Sequence, residues 1–334
     1  MADIHLTFAC GPYDRVEALR RGEVKIEGVD LTFIANDDPR EIFDRMANTE
    51  DFDAGEMSSA EFIQRLAAEG DKSPLVAIPV IASRVFRHGF IAVNTKAGIG
   101  KPKDLEGKRI GVELYTMSAA IWIRGLLQDE YGVDLSTVHW IEGAMDHPGA
   151  HGNPGVLPLL RRVDIEKNNS GKSLSELLAA GAIDATIGSR VPAILGKHPH
   201  IQRLFPNYRE VEKEYFKRTH IFPIMHIVVI RRKLYEKYPF IASSLYNALV
   251  ESKECALAAM RRTFALRYML PWLISDLEEI NELFGGDPWP YGIERNRPTL
   301  DALVSYLADQ GMIAKPLPIE SLFVPVREKD RSVW

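Results

Sequence analysis

Short apolar runs alternate with amphipathic stretches through the first third of the chain, the pattern of strands and helices that builds a mostly parallel sheet covered on both faces. IHLTFA (4–9) reads as an apolar strand that stops at CGPYDR (10–15), where Gly11 and Pro12 force a turn before a helix carrying Val16 and Leu19. GVDLTFIA (28–35) is the next strand. Asp38, Pro39 and Glu41 then spell a capping box with proline in the first helical turn, which puts Ile42, Phe43 and Met46 on a buried face. FDAGEM (52–57) is a third strand, followed by Ser58 and Glu61 as a second capping box. VAIPVIA (76–82) is a fourth, too apolar to face water.

VFRHGFIAVNT (85–95) reads as a connecting strand that leads into AGIGKPKDLEGKR, a surface connection rich in Gly, Pro and Lys. A new strand and helix alternation starts at RIGVE (109–113) and runs through AIDATIG (182–188). FPIMHIVVIRR (222–232) is a second connecting strand, and a helical region follows over roughly 239–311, interrupted at Pro271 and at GGDPWPYG (285–292). Two connecting strands that bracket a middle segment imply a discontinuous first domain, 1–93 with 227–334, a second domain, 94–226, and a ligand cleft between them. No internal repeat is present.

Composition narrows the function classes. A 334-residue chain that is 46% hydrophobic has enough apolar mass for the cores of two domains. Its 41 basic and 46 acidic residues give a net charge of −5, with no basic tract of the kind that tracks phosphates, so nucleic acid is not an expected partner. The two cysteines, Cys10 and Cys255, are too few for a disulfide scaffold and have no metal-binding spacing. The longest apolar runs, such as IMHIVVI (224–230), are of strand length, so no membrane association is expected. MADIHLTFAC has no basic leader, which makes the cytoplasm the expected location.

KPKDLEGKRIGV (101–112) resembles the segment that opens the second lobe of type II periplasmic-binding-protein folds. A closer resemblance, to the 4,5-dihydroxyphthalate decarboxylase family, is carried by YDRVEAL (13–19), EGVDL (27–31), EIFDRM (41–46), FDAGEMS (52–58) and VAIPVIASRVFRH (76–88). It continues in YTMSAAIWIRG (115–125), in the run from Arg203 to Arg232, and in MLPWL (269–273), PWPYGIERNRPTL (288–300) and ESLFVP (320–325). The likeness runs nearly end to end. It implies an α/β two-lobed fold of the type II periplasmic-binding-protein kind and the non-oxidative decarboxylation of a hydroxylated aromatic acid, with no organic cofactor. Two segments depart from the family pattern: GSRVP (188–192), where a Ser-Pro-Arg-Ile-Pro-like run is expected, and AMDHPGAHGNPG (144–155).

Ligands of open α/β sheets sit beyond the carboxyl ends of strands, so the junctions at 10–15, 56–59, 84–88, 115–118 and 188–190 and the hinge at 223–226 supply the candidates. Tyr115, Thr116 and Ser118 open a helix whose free amides form a carboxylate cradle, or else simply cap it. Arg84 and His88 lie on one side of an extended strand and Arg87 on the other, which makes the first two ligand contacts and the third an interdomain ion pair. Glu56, Asp14 and Arg15 are cleft contacts or partners of one another. Arg190 is positioned to bind a carboxylate from the second lobe. His226 is a buried core histidine or, because the hinge lines the cleft floor, an acid–base group.

Losing CO2 from an aryl carbon requires a proton donor at that carbon, a base for the phenol and anchors for the carboxylate that stays. His88 or His226 is the expected acid–base group, Arg84, Arg190 and the 115–118 helix start the anchors, and Glu56 or Asp14 the orienting carboxylate. No metal site is expected: His147 and His151 are separated by Pro148 and Gly149, and HPH at 198–200 is a turn, so both read as solvated loop. Dependence on a divalent ion and the substrate's identity stay open, and a homo-oligomer through the helical C-terminal region is allowed. Two alternatives remain: a non-catalytic solute-binding protein for an aromatic or sulfonated anion, and an enzyme of this fold acting on another acid.

Overall fold

A computed structural model describes residues 4–329, an α/β chain with two sheets. The first contains β1 (Ile4–Cys10), β2 (Val29–Ala35), β3 (Ala54–Ser58) and β4 (Leu75–Arg84). The second contains β5 (Ala92–Asn94), β6 (Arg109–Val112), β7 (His139–Glu142), β8 (Ile165–Lys167), β9 (Ala185–Ile187) and β10 (Ile201–Arg203). The chain then returns to the first sheet as β11 (Ile224–Arg231). The strand orders are β2-β1-β3-β11-β4 and β10-β5-β9-β6-β7-β8. Pairing is parallel at β1 with β2 and β3 and at β6 with β7 and β9, while β11 runs antiparallel between β3 and β4.

Helices cover both sheets: α1 (Asp14–Arg20), α2 (Pro39–Asn48), α3 (Ser59–Glu69), α4 (Ser118–Tyr131), α5 (Leu174–Ala179), α6 (Tyr208–Thr219), α7 (Arg232–Lys237), α8 (Phe240–Met260), α9 (Leu273–Phe284) and α10 (Arg297–Asp309). Val16 and Leu19 on α1 and Ile42, Phe43 and Met46 on α2 are buried, as their helical spacing requires. Gly132 closes α4 in the left-handed conformation that favours glycine.

Three local expectations are corrected. Only half of each capping box forms: Asp38 accepts from the Arg40 amide and Ser58 from the Glu61 amide. Glu41 instead accepts from Asn36, and Glu61 pairs with the guanidinium of Arg40, a charged partner that holds a carboxylate more strongly than an amide does. The run 85–95 is a strand only at Ala92–Asn94 and forms a 3-10 turn at His88–Phe90, because Gly89 turns its amide to Glu212 (3.2 Å). Finally, the loop after β7 is not wholly solvated, since His151 is largely enclosed.

The two sheets are sewn together where helices start. Ser118, at the head of α4, shares hydrogen bonds with the hydroxyls of Ser58 (3.0 Å) and Ser59 (3.2 Å) and accepts one from the Ala60 amide (3.1 Å) at the head of α3. Trp122 on α4 donates from its indole to the Ile224 carbonyl of β11 (2.8 Å). The loop between β7 and β8 reaches the helices of the first sheet, where the Asn153 amide donates to Asp44 (2.8 Å) and Asn48 donates to the Asn153 carbonyl (3.3 Å). No helix among the described residues is long and apolar enough to cross a membrane.

Candidate active site

Strand register builds the first half of the site. His226 stands opposite Ser58 and Val228 opposite Glu56, so His226 and Glu56 are diagonal neighbours on one face of the β3–β11 ladder. Their side chains meet: His226 Nδ1 lies 2.5 Å from Glu56 Oε1. Glu56 is 0% exposed, and its other contacts are donors. The Tyr13 hydroxyl donates to Oε1 (2.6 Å), the Gly11 amide to Oε2 (2.9 Å) and the Cys10 thiol to Oε2 (3.5 Å). Burial pushes the Glu56 carboxyl up, but the charge and hydrogen bond of His226, with the Tyr13 and Gly11 donors, outweigh it and hold the group below its ordinary range. The same arrangement keeps Tyr13 and Cys10 protonated, because burial and the Glu56 charge both push them up. The His226 side chain is 20% exposed, and its ring meets Phe43 of α2 edge-on at 4.7 Å.

A matching carboxylate ends a strand of the second sheet. Val112 pairs with Ile187, so Glu113 comes level with Gly188. A Cβ at Gly188 would stand 2.8 Å from Glu113 Oε2, which explains glycine there. The Ser189 amide (3.0 Å) and hydroxyl (2.7 Å) donate to that oxygen. Arg190 Nε lies 3.2 Å and His151 Nδ1 3.6 Å from Oε1. Glu113 is 2% exposed and Arg190 56%, so the carboxylate is interior and the guanidinium is open to a ligand.

The remaining candidates fall in different places. Arg15 donates from Nε to the Ala82 carbonyl (2.7 Å) and stacks between the rings of Tyr13 (4.0 Å) and Trp289 (4.4 Å). Asp14 accepts from the Arg15 amide (2.7 Å). Both line an apolar cavity of about 710 Å³ walled by Phe86, Phe222, Phe284 and Trp289, which shares no residue with the Glu56 cluster. Arg84 is buried, stacks on Phe222 and donates to its carbonyl (2.8 Å), with two guanidinium nitrogens unpartnered. His88 sits in a box of Tyr131, Phe205 and Tyr215, touching neither Glu56 nor His226; burial pushes it down to about 4. Arg87, expected as an ion pair, donates to the Ser189 carbonyl (3.2 Å) beside Glu113. Tyr115 lies in the core of the second sheet under Arg124 (3.7 Å) and Trp140. The Thr116 hydroxyl is buried without a partner, and that of Ser118 is committed to the first lobe.

Tyr13, Glu113, His151 and Arg40 were absent from the sequence-derived set. Glu113 carries the signal that marked Glu56, an acid at a strand end ahead of a helix, and RIGVE displays it. His151 has no such signal, since nothing local in a loop rich in Pro and Gly says which side chains turn inward. Among the described residues, no group of three or more His, Cys, Asp or Glu side chains is placed to hold a metal ion.

Two α/β sheets joined by crossing strands define a protein of the periplasmic-binding-protein fold. The periplasmic aliphatic sulphonate binding protein of Escherichia coli superposes on it with a TM-score of 0.51 at 11% identity, covering 100% of this chain and 96% of that one. The ligand-binding component of an ABC-type import system from Staphylococcus aureus gives 0.51 at 8% identity, covering 97% of each chain. A family model described as NMT1/THI5 like matches residues 18–151. In sequence the chain is 36% identical over 326 residues to a 4,5-dihydroxyphthalate decarboxylase of Comamonas testosteroni, covering 97% of this chain and 98% of that one. It is 36% identical over 218 residues to the enzyme of that name from Pseudomonas putida, covering 65% and 83%. The chain belongs to the 4,5-dihydroxyphthalate decarboxylase family.

Proposed function

We propose that the protein is a carboxy-lyase that removes CO2 from 4,5-dihydroxyphthalate or a close hydroxylated aromatic dicarboxylic acid, with His226 as the proton donor. The observation that carries this reading, beside family membership, is the His226 to Glu56 contact at 2.5 Å, a solvent-reachable imidazole backed by a fully buried carboxylate. Such a carboxylate fixes the ring orientation and stabilises the imidazolium, which is the form able to protonate carbon. The Tyr13, Gly11 and Cys10 donors occupy the remaining lone pairs of Glu56, so the carboxylate has no freedom to turn away.

The reaction needs one net proton. The imidazolium delivers H⁺ to the ring carbon that bears the departing carboxylate, and a deprotonated hydroxyl para to that carbon feeds it electron density. The C–CO2 bond then breaks, its electron pair restores the aromatic ring, and His226 is reprotonated from solvent. Arg190 is the best-supported anchor for the carboxylate that stays, because its planar fork is exposed and held by Glu113. The contacts of Ser118 with Ser58 and Ser59 hold the heads of α3 and α4 together and so fix the two sheets relative to each other. The test is to incubate the protein with a panel of dihydroxy-aromatic acids while following CO2 and thermal stabilisation. CO2 release from 4,5-dihydroxyphthalate, with 3,4-dihydroxybenzoate formed in equal amount, is the expected result. Stabilisation without CO2 would make the protein a binding protein instead.

A further inference from the structure

The loop that joins β7 to β8 carries a second imidazole set against a buried glutamate. Gly149 (φ 107°) and Gly152 (φ 69°), both in conformations that favour glycine, bracket His151 and turn the chain around it. The loop leaves the second sheet and rests on α2 of the first, where a Cβ at Gly152 would collide with Arg40 and Asp44. His151 therefore lies between the lobes, with Glu113 and Arg190 on one side and Arg40 and Asp38 of the α2 region on the other. Arg40, whose charge acts on His151, also lies 5.1 Å from the ring of Phe43, which meets His226 at 4.7 Å. Arg40 is nine-tenths buried, and its Nε has no partner.

We propose that His151 is the base that takes the proton of the ring hydroxyl, so that each lobe contributes one imidazole backed by one buried glutamate. This inference rests on the decarboxylase reading and adds to it the residue that activates the substrate. Glu113 faces Nδ1 of His151 (3.6 Å), which favours the tautomer that donates from Nδ1 and leaves the Nε2 lone pair free to accept. Burial, with Arg40 and Arg190, pushes the His151 imidazole down against the pull of Glu113 and Asp38 and keeps it neutral near pH 7. A neutral imidazole is a base, whereas one charged against a buried carboxylate is an acid. The step balances. His151 Nε2 accepts H⁺ from the hydroxyl, His226 gives H⁺ to the ring carbon, CO2 leaves, and the phenolate of the product takes its proton back from His151.

The experiment uses wild type, His151→Gln, and Glu113→Gln as a variant that keeps the imidazole but loses its orienting partner. Two readings are taken: kcat and KM for 4,5-dihydroxyphthalate across pH, and the absorbance of bound 4-nitrocatechol, which reports ionisation of a ring hydroxyl. His151→Gln should lower kcat by about 10²-fold or more, abolish the acid-side fall in its pH profile, and leave the bound nitrocatechol neutral at a pH where wild type ionises it. Glu113→Gln should give a smaller change of the same kind. Unchanged kcat and pH profile in His151→Gln, or a change in KM alone with nitrocatechol still ionised, overturns the inference while leaving the decarboxylase reading intact. A wild type that ionises nitrocatechol through His151 but releases no CO2 fails the decarboxylase reading and leaves the base assignment standing.

Discussion

Glu56, within β3, and Glu113, just beyond β6, are interior carboxylates of the two sheets, yet their surroundings differ. Glu56 is met by three neutral donors and the imidazole of His226, so the attraction that keeps it ionised comes chiefly from that ring. Glu113 is met by Ser189, by the guanidinium of Arg190 and by His151. Among the described residues the imidazole is the one cationic partner in contact with Glu56, whereas Glu113 shares its oxygens between an imidazole and a guanidinium, so two pairs of the same residue types sit in different fields.

The comparison breaks first at Glu56. Replacing it with Gln keeps the shape but removes the negative charge that faces His226 Nδ1 and orients its ring, and kcat should fall by about 10²–10⁴-fold, with substrate affinity changed far less. Steady-state kinetics beside equilibrium binding would show this, and retained kcat would make the pair structural. A smaller effect is expected at Tyr13→Phe. A hydrogen bond to a charged group contributes about 1.5–3 kcal/mol, and denaturant unfolding should record a loss of that order, with less than a tenfold drop in kcat because the Gly11 and Cys10 donors remain.

The smallest effect lies outside the cleft and concerns how burial alone moves titration. Burial pushes the Glu212 carboxyl up to about 7 from its ordinary 4.5. The folded chain therefore holds this proton more tightly than the unfolded chain does. Its contribution to stability is complete below about pH 4.5 and drains away as pH rises through about 7. His88, at about 4 against an ordinary 6.5, does the reverse: its contribution is present above about 6.5 and is lost as pH falls through 4. Across about pH 4.5–6.5 the two contributions oppose each other, so Glu212→Gln should leave that of His88 unopposed and turn a nearly flat melting temperature into one that rises with pH. A melting temperature that stays flat over that range in the variant would show that Glu212 does not supply the opposing contribution.

Much of the architecture was legible because it rests on local rules. The strands at Ile4–Cys10, Val29–Ala35 and Leu75–Arg84 follow from apolar runs ended by turn residues, and α4 from its apolar face and the glycine that stops it. Which candidate residues meet was legible where position in a strand fixes direction. Glu56 and His226 were singled out as a strand end and a hinge residue, and the register of β11 against β3 brings them together. It was not legible where direction depends on distant chain. Alternation assigned Arg84, Arg87 and His88 to opposite sides of a strand that ends at Arg84, and no period in 144–155 tells that His151 turns inward against Glu113. The halves of the capping boxes that did not form have the same cause, since Glu61 finds Arg40 only once α2 and α3 pack.

The central claim is that His226 gives the proton that replaces the carboxyl group. It is tested most directly by measuring CO2 release from 4,5-dihydroxyphthalate by wild type and His226→Asn, with the dissociation constant of each measured separately. The expected result is a kcat at least about 100-fold lower in the variant, at an affinity within a few-fold of wild type. Equal turnover by the two proteins would contradict it.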